Sequence, residues 1–234
     1  DAWAVRHLSF TVAAGETLAL VGENGAGKTT IVKLITRLYD PDEGRITIDG
    51  IDIREFALAD LRTHIGAIFQ DFLRYSFSAS DNIGVGRIDA AADRERIVSA
   101  AEQSLADAVI RKLPEGYDQM LGRTFAQGHD LSGGEWQKLA IARAYMRDAE
   151  IIILDEPTAA LDARAEAEVF QRFKNLAEGT TAVLISHRFS TVRMADRIVV
   201  LADGKVEEQG THAELMANGG RYAELFELQA SGYR

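Results

Sequence analysis

Eight consecutive residues, Gly22-Glu23-Asn24-Gly25-Ala26-Gly27-Lys28-Thr29, carry the most specific chemistry in the chain. Their G-x-x-x-x-G-K-[ST] spacing lets backbone N–H groups close around a triphosphate, because glycines take up the tight curvature. Lys28 is placed to reach the β- and γ-phosphates, and the Thr29 hydroxyl to ligate Mg²⁺. A second group, Asp155-Glu156, ends the apolar run Ile151-Ile152-Ile153-Leu154. Ligands of open α/β sheets bind beyond the carboxyl ends of the strands, so both acids are expected to face the phosphates held by Lys28. Asp155 then supports Mg²⁺ through water, and Glu156 polarises an attacking water. Alone, the pair reads equally as a strand ending in solvated acids before Pro157; the phosphate loop turns the reading toward catalysis. A third group, Leu131-Ser132-Gly133-Gly134-Glu135, opens a helix expected to run to about Arg147. Ser132 and Glu135 have capping-box spacing, which is an ordinary helix start. Two adjacent glycines in a first turn weaken a helix, however, and make sense where the backbone must approach an anion at the positive end of the dipole.

These residues need strands that end and helices that begin at one edge of a sheet. The run Thr17–Val21 precedes the loop and a helical pattern, Ile31-Val32-Lys33-Leu34-Ile35, follows it. Up to about Phe69 the candidate strands are Val5–Thr11, Thr17–Val21, Gly44–Ile48 and Ile65–Phe69. The stretch 70–148 is helical in pattern, with Ala92–Ala101 and Leu105–Leu113 as candidates, and reads as an insertion into the sheet domain. Alternation then resumes with strand Ile151–Leu154, helix Ala163–Ala177, strand Thr181–Ile185, helix Ser190–Met194, strands Arg197–Leu201 and Lys205–Gln209, and closing helices. Such alternation implies a parallel sheet covered on both faces.

Composition bounds the function. The 234 residues suffice for one large α/β domain, and 47% hydrophobic with 26% charged residues is ordinary for a globular protein. A formal net charge of −10 argues against nucleic acid as a partner, since phosphate contacts need Lys and Arg. The absence of cysteine excludes disulfides, thiolate metal sites and Cys nucleophiles. No apolar run approaches the roughly 20 residues of a membrane span. With Asp1 first and no initiator Met, the chain is expected to be a piece of something longer.

Together, Gly22–Thr29, Leu131-Ser132-Gly133-Gly134-Glu135, Ile151–Glu156 and Ser186-His187-Arg188 resemble the ATP-binding cassette (ABC) ATPase family across essentially the whole chain. The resemblance implies a P-loop NTPase core over 1–69 and 149–234, with a mainly parallel sheet and an N-terminal antiparallel β part. A helical subdomain over 70–148 carries the signature motif. It implies ATP and Mg²⁺ as ligands, with Gly22, Glu23, Asn24, Gly25, Ala26, Gly27, Lys28, Thr29 and Thr30 around the phosphates. Two cassettes, identical or different, would pair head to tail, each ATP lying between one phosphate loop and the Ser132, Gly133 and Gly134 turn of the other. Gln70 resembles the loop glutamine that reaches Mg²⁺ and the attacking water. His187 resembles the switch histidine at the γ-phosphate, and Asp162 the aspartate that signals across the dimer.

Further stretches are similar to exporter cassettes: Asp49-Gly50-Ile51-Asp52-Ile53, Ser78-Ala79-Ser80-Asp81-Asn82-Ile83, Ser186-His187-Arg188-Phe189-Ser190-Thr191 and Gly210-Thr211-His212-Ala213-Glu214-Leu215. They imply a transmembrane domain in the same parent polypeptide and a place at the cytoplasmic face of a membrane, a bacterial inner membrane first. An importer subunit and a soluble non-transport ABC ATPase are the rival readings. Three departures matter. The family's adenine-stacking aromatic falls upstream of Asp1, and Trp3, the nearest aromatic, is expected to pack on the first strand. The signature ends in Glu135 where Gln is frequent, either facing a partner's phosphates or serving only as a cap. Phe72-Leu73-Arg74-Tyr75-Ser76-Phe77, after Gln70, is either core of the helical insertion or a surface that receives the membrane domain.

Overall fold

Apolar runs without polar alternation become the central strands, as burial on both faces requires. The computed structural model describes residues 3–69, 71–125, 127–155, 171–186 and 188–232. In chain order, β1 (Thr17–Gly22) is followed by α1 (Lys28–Ile35), β2 (Thr47–Ile48), β3 (Ile51–Asp52), α2 (Leu58–His64) and β4 (Ile65–Ile68). A helical stretch carries α3 (Ala79–Gly84), α4 (Arg94–Ser104), α5 (Asp107–Ile110) and α6 (Gly133–Tyr145). Then come β5 (Ile151–Asp155), α7 (residues 171–177), β6 (Thr181–Ile185), α8 (Phe189–Val192), β7 (Arg197–Ala202), β8 (Lys205–Gly210), α9 (His212–Asn218) and α10 (Arg221–Gly232).

The chain divides into two units. The first comprises the described residues among 1–67, 150–155 and 179–232 and holds the sheet, in the order β4-β5-β6-β1-β7-β8. β5, β6, β1 and β7 pair in parallel, and β8 returns antiparallel to β7. β2 and β3 form a separate antiparallel hairpin. On one face Ala19, Val21, Ile198 and Val200 pack with Phe189, Val192, Leu215 and Tyr222 from α8, α9 and α10. α1 packs against β1 and β5.

The second unit contains residues 68–149 and the described residues 171–178. Its core gathers Ile83 of α3, Ile97, Ala100 and Ala101 of α4, Ile110 of α5, and Trp136, Leu139 and Ala142 of α6. Alanines on the facing sides of α4 and α6 let the two backbones approach closely. Truncating a fully buried member such as Leu139 to Ala costs about 2–5 kcal/mol.

The mainly parallel sheet with an antiparallel hairpin and a helical insertion is the expected fold class. Three elements differ. Residues 5–11 form no strand: His7 sits at φ 50, and among the described residues the segment is held by the Arg6 N–H on Gly204 O at 2.9 Å and by Arg197 on the Thr11 carbonyl. The expected strand Gly44–Ile48 shortens to Thr47–Ile48 because its pairing is exhausted by the two-residue hairpin. The helix expected from Leu105 begins at Asp107, since Leu105 takes φ 64 as the left-handed end of α4.

Candidate nucleotide-binding site

The glycine loop between β1 and α1 is shaped by close approaches that exclude side chains. A Cβ on Gly22 would lie 2.3 Å from the Leu201 carbonyl oxygen. Gly27, at φ 97, would bring a Cβ within 2.5 Å of Val5 Cγ1 and 2.9 Å of the Ala4 carbonyl oxygen. Lys28 is only 6% exposed, and its Nζ donates to Gly22 O at 2.7 Å and Glu23 O at 2.9 Å. The ammonium is therefore fixed over the first residues of its own loop. α1 starts with Gly27 as N-cap, with no side-chain cap and no acidic residue in its first turn. The positive end of this helix is left for an external anion. Thr29 is exposed at that end, and Ala26 is buried beneath the loop.

Register brings the carboxylate to the same edge. Asp155 pairs with Ile185 of β6, and Ile185 with Leu20 of β1, so Asp155 ends its strand two residues short of the level of Gly22. It is 6% exposed, at the end of a strand against which α1 packs. Ser186, buried, follows β6 at this edge, and its Oγ accepts the Arg188 N–H at 3.0 Å.

In the helical unit the signature turn is a complete capping box. The Glu135 carboxylate accepts the Ser132 N–H at 2.8 Å, and Ser132 Oγ accepts the Glu135 N–H at 3.4 Å. Glu135 is thus engaged as a cap. Ser132 and Gly133 are exposed, and a Cβ on Gly133 would meet no described atom within 4 Å. Neither crowding nor backbone conformation demands this glycine, although it weakens the first turn by up to about 1 kcal/mol relative to Ala.

The segment after Gln70 divides its side chains. Phe72 packs against the helical core, while Leu73 and Phe77 are 63% and 44% exposed. Arg143 of α6 clamps the segment: Nη1 donates to Leu73 O at 2.6 Å, Nε to Asn82 O at 2.7 Å and Nη2 to Asn82 Oδ1 at 2.8 Å. Its guanidinium lies 5.0 Å from the Tyr75 ring centroid, and Tyr75 stacks on Phe77 at 5.2 Å. Asn82 Nδ2 in turn donates to the carbonyls of Tyr75, Phe77 and Ser78. Burial pulls the Arg143 pKa down to about 10, which leaves it charged at neutral pH. Sequence patterns carry no signal for this clamp, whose bonds join residues 61 and 70 apart.

Gln70, Glu156, Asp162 and His187 lie outside the described residues. Trp3 is 55% exposed and does not pack as the expected core residue.

The sequence profile of ABC transporters matches residues 5–159, well over half of the chain. The chain belongs to the ABC transporter family. Within this family it is similar to the β-(1→2)glucan export ATP-binding/permease protein NdvA of Nitrobacter winogradskyi, 46% identical over 97% of this chain and 36% of that protein. The ATP-dependent lipid A-core flippase of Alcanivorax borkumensis is 41% identical over 97% of this chain and 38% of its own length. Among solved structures, a bacterial Atm1-family ABC exporter with ATP bound superposes with a TM-score of 0.89 at 41% identity, over 97% of this chain and 39% of that one. The chain therefore spans well under half the length of these relatives and corresponds to the ATPase domain of ABC exporters. Among the described residues no helix is long and apolar enough to cross a membrane.

ATP is the ligand of such domains, and the residues present fit an accompanying Mg²⁺. Thr29 offers a hydroxyl and Asp155 a carboxylate, oxygen donors suited to a hard cation. Among the described residues no group of three His, Cys, Asp or Glu side chains is arranged to hold a metal. Mg²⁺ is commonly held by one or two protein oxygens together with substrate phosphates.

Proposed function

We propose that this chain hydrolyses Mg-ATP as one of two cassettes joined head to tail, and that the cycle drives export by a transmembrane partner from the cytoplasmic face of a membrane. The observation that carries the reading is the uncapped start of α1 behind the glycine loop, with Lys28 buried over it and Asp155 at the same sheet edge. Thr29, Asp155 and the side-chain oxygen of Gln70 would hold Mg²⁺, which when bound neutralises charge on the phosphate oxygens. Gly22 through Thr30 wrap the phosphates with backbone N–H groups, and Lys28 adds a preorganised positive charge. Glu156 orients the attacking water and accepts its proton at the carboxylate. His187 donates a hydrogen bond to the γ-phosphate. Ser132, Gly133 and Gly134 of the second cassette close the site, and Asp162 carries the signal between the two.

Such a composite site makes assembly measurable. A two-fold pair bridged by nucleotide is favoured by mass action when ATP is present. The chain is expected to be mainly monomeric without nucleotide, with an ATPase rate that rises more steeply than linearly with protein concentration. A strictly linear rate from a well-behaved monomer removes the paired-site reading.

Coupling to a membrane domain is the second expectation. Leu73 and Phe77 are apolar, exposed and held in place by Arg143, a short way along the chain from Gln70. Leu73→Ser and Phe77→Ser together should shift the stability of this chain by less than about 1 kcal/mol, because little apolar area is lost from the core. ATP hydrolysis by the chain should be unchanged, while the same changes in the full-length parent should abolish substrate-stimulated ATPase. Normal stimulation in that parent would remove the docking role.

A further inference from the structure

The phosphate loop carries an anion of its own. Glu23 is the sole acidic residue of Gly22–Thr29, set among the backbone donors that a triphosphate must take. Its side chain is 64% exposed and pairs with Arg221, in the first turn of α10. The sheet register brings that helix to the loop. Gly22 lies opposite Leu201 of β7, and Val200, one residue back, lies opposite Glu208 of β8. The Glu208 carboxylate then accepts the Arg221 N–H at 2.9 Å and the Tyr222 N–H at 3.1 Å, which fixes the start of α10. A Cβ on Gly220 would collide with that carboxylate, so the close approach requires glycine there. Further along, buried Tyr222 packs edge-on to Phe189 of α8 at 5.2 Å, and Gln229 Oε1 accepts the Phe189 N–H at 2.9 Å. α10 is thus a fixed platform beside the loop.

The Arg221 guanidinium is a planar fork and uses both of its arms. One Nη pairs with Glu23, and the other with Glu224 of its own helix at 3.2 Å. The Glu23 backbone carbonyl, meanwhile, accepts from Lys28 Nζ at 2.9 Å. One residue therefore helps to hold the ammonium that the phosphates need, while its own carboxylate is drawn away to α10. We propose that Arg221 is a positioning residue of the phosphate loop, holding the Glu23 carboxylate against α10 and so keeping an internal anion off the donors of the loop and of α1; this rests on the phosphate-loop reading above. α1 has no side-chain cap and no acid in its first turn, so its start is open to whichever anion reaches it. A released Glu23 carboxylate, tethered to the same loop, would compete with ATP for those donors at high effective concentration.

The test is calorimetric titration of the 234-residue chain with Mg-ATP. Arg221→Gln keeps the backbone N–H that Glu208 accepts and removes the charge. It is expected to weaken Mg-ATP binding by roughly three- to tenfold, the size of an anion's preference for an exposed helix start. The melting temperature should stay within about 2 °C of the parent, because exposed ion pairs contribute little to stability. Arg221→Lys retains the charge and is expected to bind within about twofold of the parent. In a Glu23→Gln background there is no carboxylate to restrain, and Arg221→Gln should cost less than about twofold. Unchanged affinity in Arg221→Gln overturns the proposal. So does an equal loss in the Glu23→Gln background, which would make Arg221 act on the nucleotide directly. Equal losses in Arg221→Lys and Arg221→Gln, or a loss that comes with a marked fall in melting temperature, overturn it as well. Lys28→Met separates this inference from the reading beneath it. If that variant binds Mg-ATP like the parent, the phosphate-loop reading fails and this inference falls with it. If it binds weakly and Arg221→Gln does not, only this inference fails.

Discussion

Replacing Glu156 by Gln is expected to leave ATP binding intact and to slow hydrolysis by roughly 10²–10⁴-fold, the usual contribution of a general base. Gln keeps the size and most of the hydrogen-bonding capacity of Glu, so an orienting role partly survives. An amide cannot take a proton from water at neutral pH, so the proton-accepting role does not. The residue follows Asp155 directly, and Asp155 is buried at the carboxyl end of β5, level with Ile185 and Leu20 in the sheet. Ligands of such sheets gather beyond that edge. Nucleotide that binds but is not split should also accumulate the paired form. Single-turnover hydrolysis and gel filtration with ATP check the two halves of the expectation. Turnover close to that of the parent chain would end the assignment of Glu156 as the base.

The parts legible in the sequence are those whose physics is local. A glycine loop between an apolar run and a helical pattern needs no partner to be recognised, and β1 and α1 formed where that pattern put them. β5 and β6 were legible because strands buried on both faces cannot alternate, and Ile151–Leu154 and Thr181–Ile185 do not. The alternative roles of Glu135 needed coordinates: its carboxylate lies on the Ser132 N–H. Residues 5–11 read as a strand because they contain apolar residues, but among the described residues no neighbouring strand offers them a ladder, and His7 breaks the extended run. The contacts of Arg143, Glu208 and Gln229 were invisible for a common reason. Each closes a contact between segments far apart in the chain, and nothing in the types or spacing of its neighbours announces the partner. Bulky apolar residues after Gln70 likewise gave no clue that Phe72 would turn inward while Leu73 and Phe77 faced solvent.

Lys28→Ala should fail at the opposite step, by weakening the binding of ATP itself. The Lys28 ammonium is the one side-chain charge within the glycine motif held over the loop's own backbone, at 2.7 Å from Gly22 O and 2.9 Å from Glu23 O. Charge-assisted hydrogen bonds of this kind contribute about 1.5–3 kcal/mol, which corresponds to a roughly 10- to 150-fold loss of affinity. The N–H groups of the loop and the start of α1 remain, so binding should weaken rather than vanish. Stability should fall as well, because Lys28 is buried and two carbonyls lose their donor; about 1–3 kcal/mol is expected, too little to unfold a chain with this much buried core. Lys28→Met, which keeps the buried stem without the charge, separates the two effects: it should recover part of the lost stability and none of the lost affinity. Calorimetric titration with ATP on both variants is the deciding measurement. An unchanged affinity in Lys28→Met would mean that the triphosphate does not lie in this loop, and Glu156 would then lose its substrate as well.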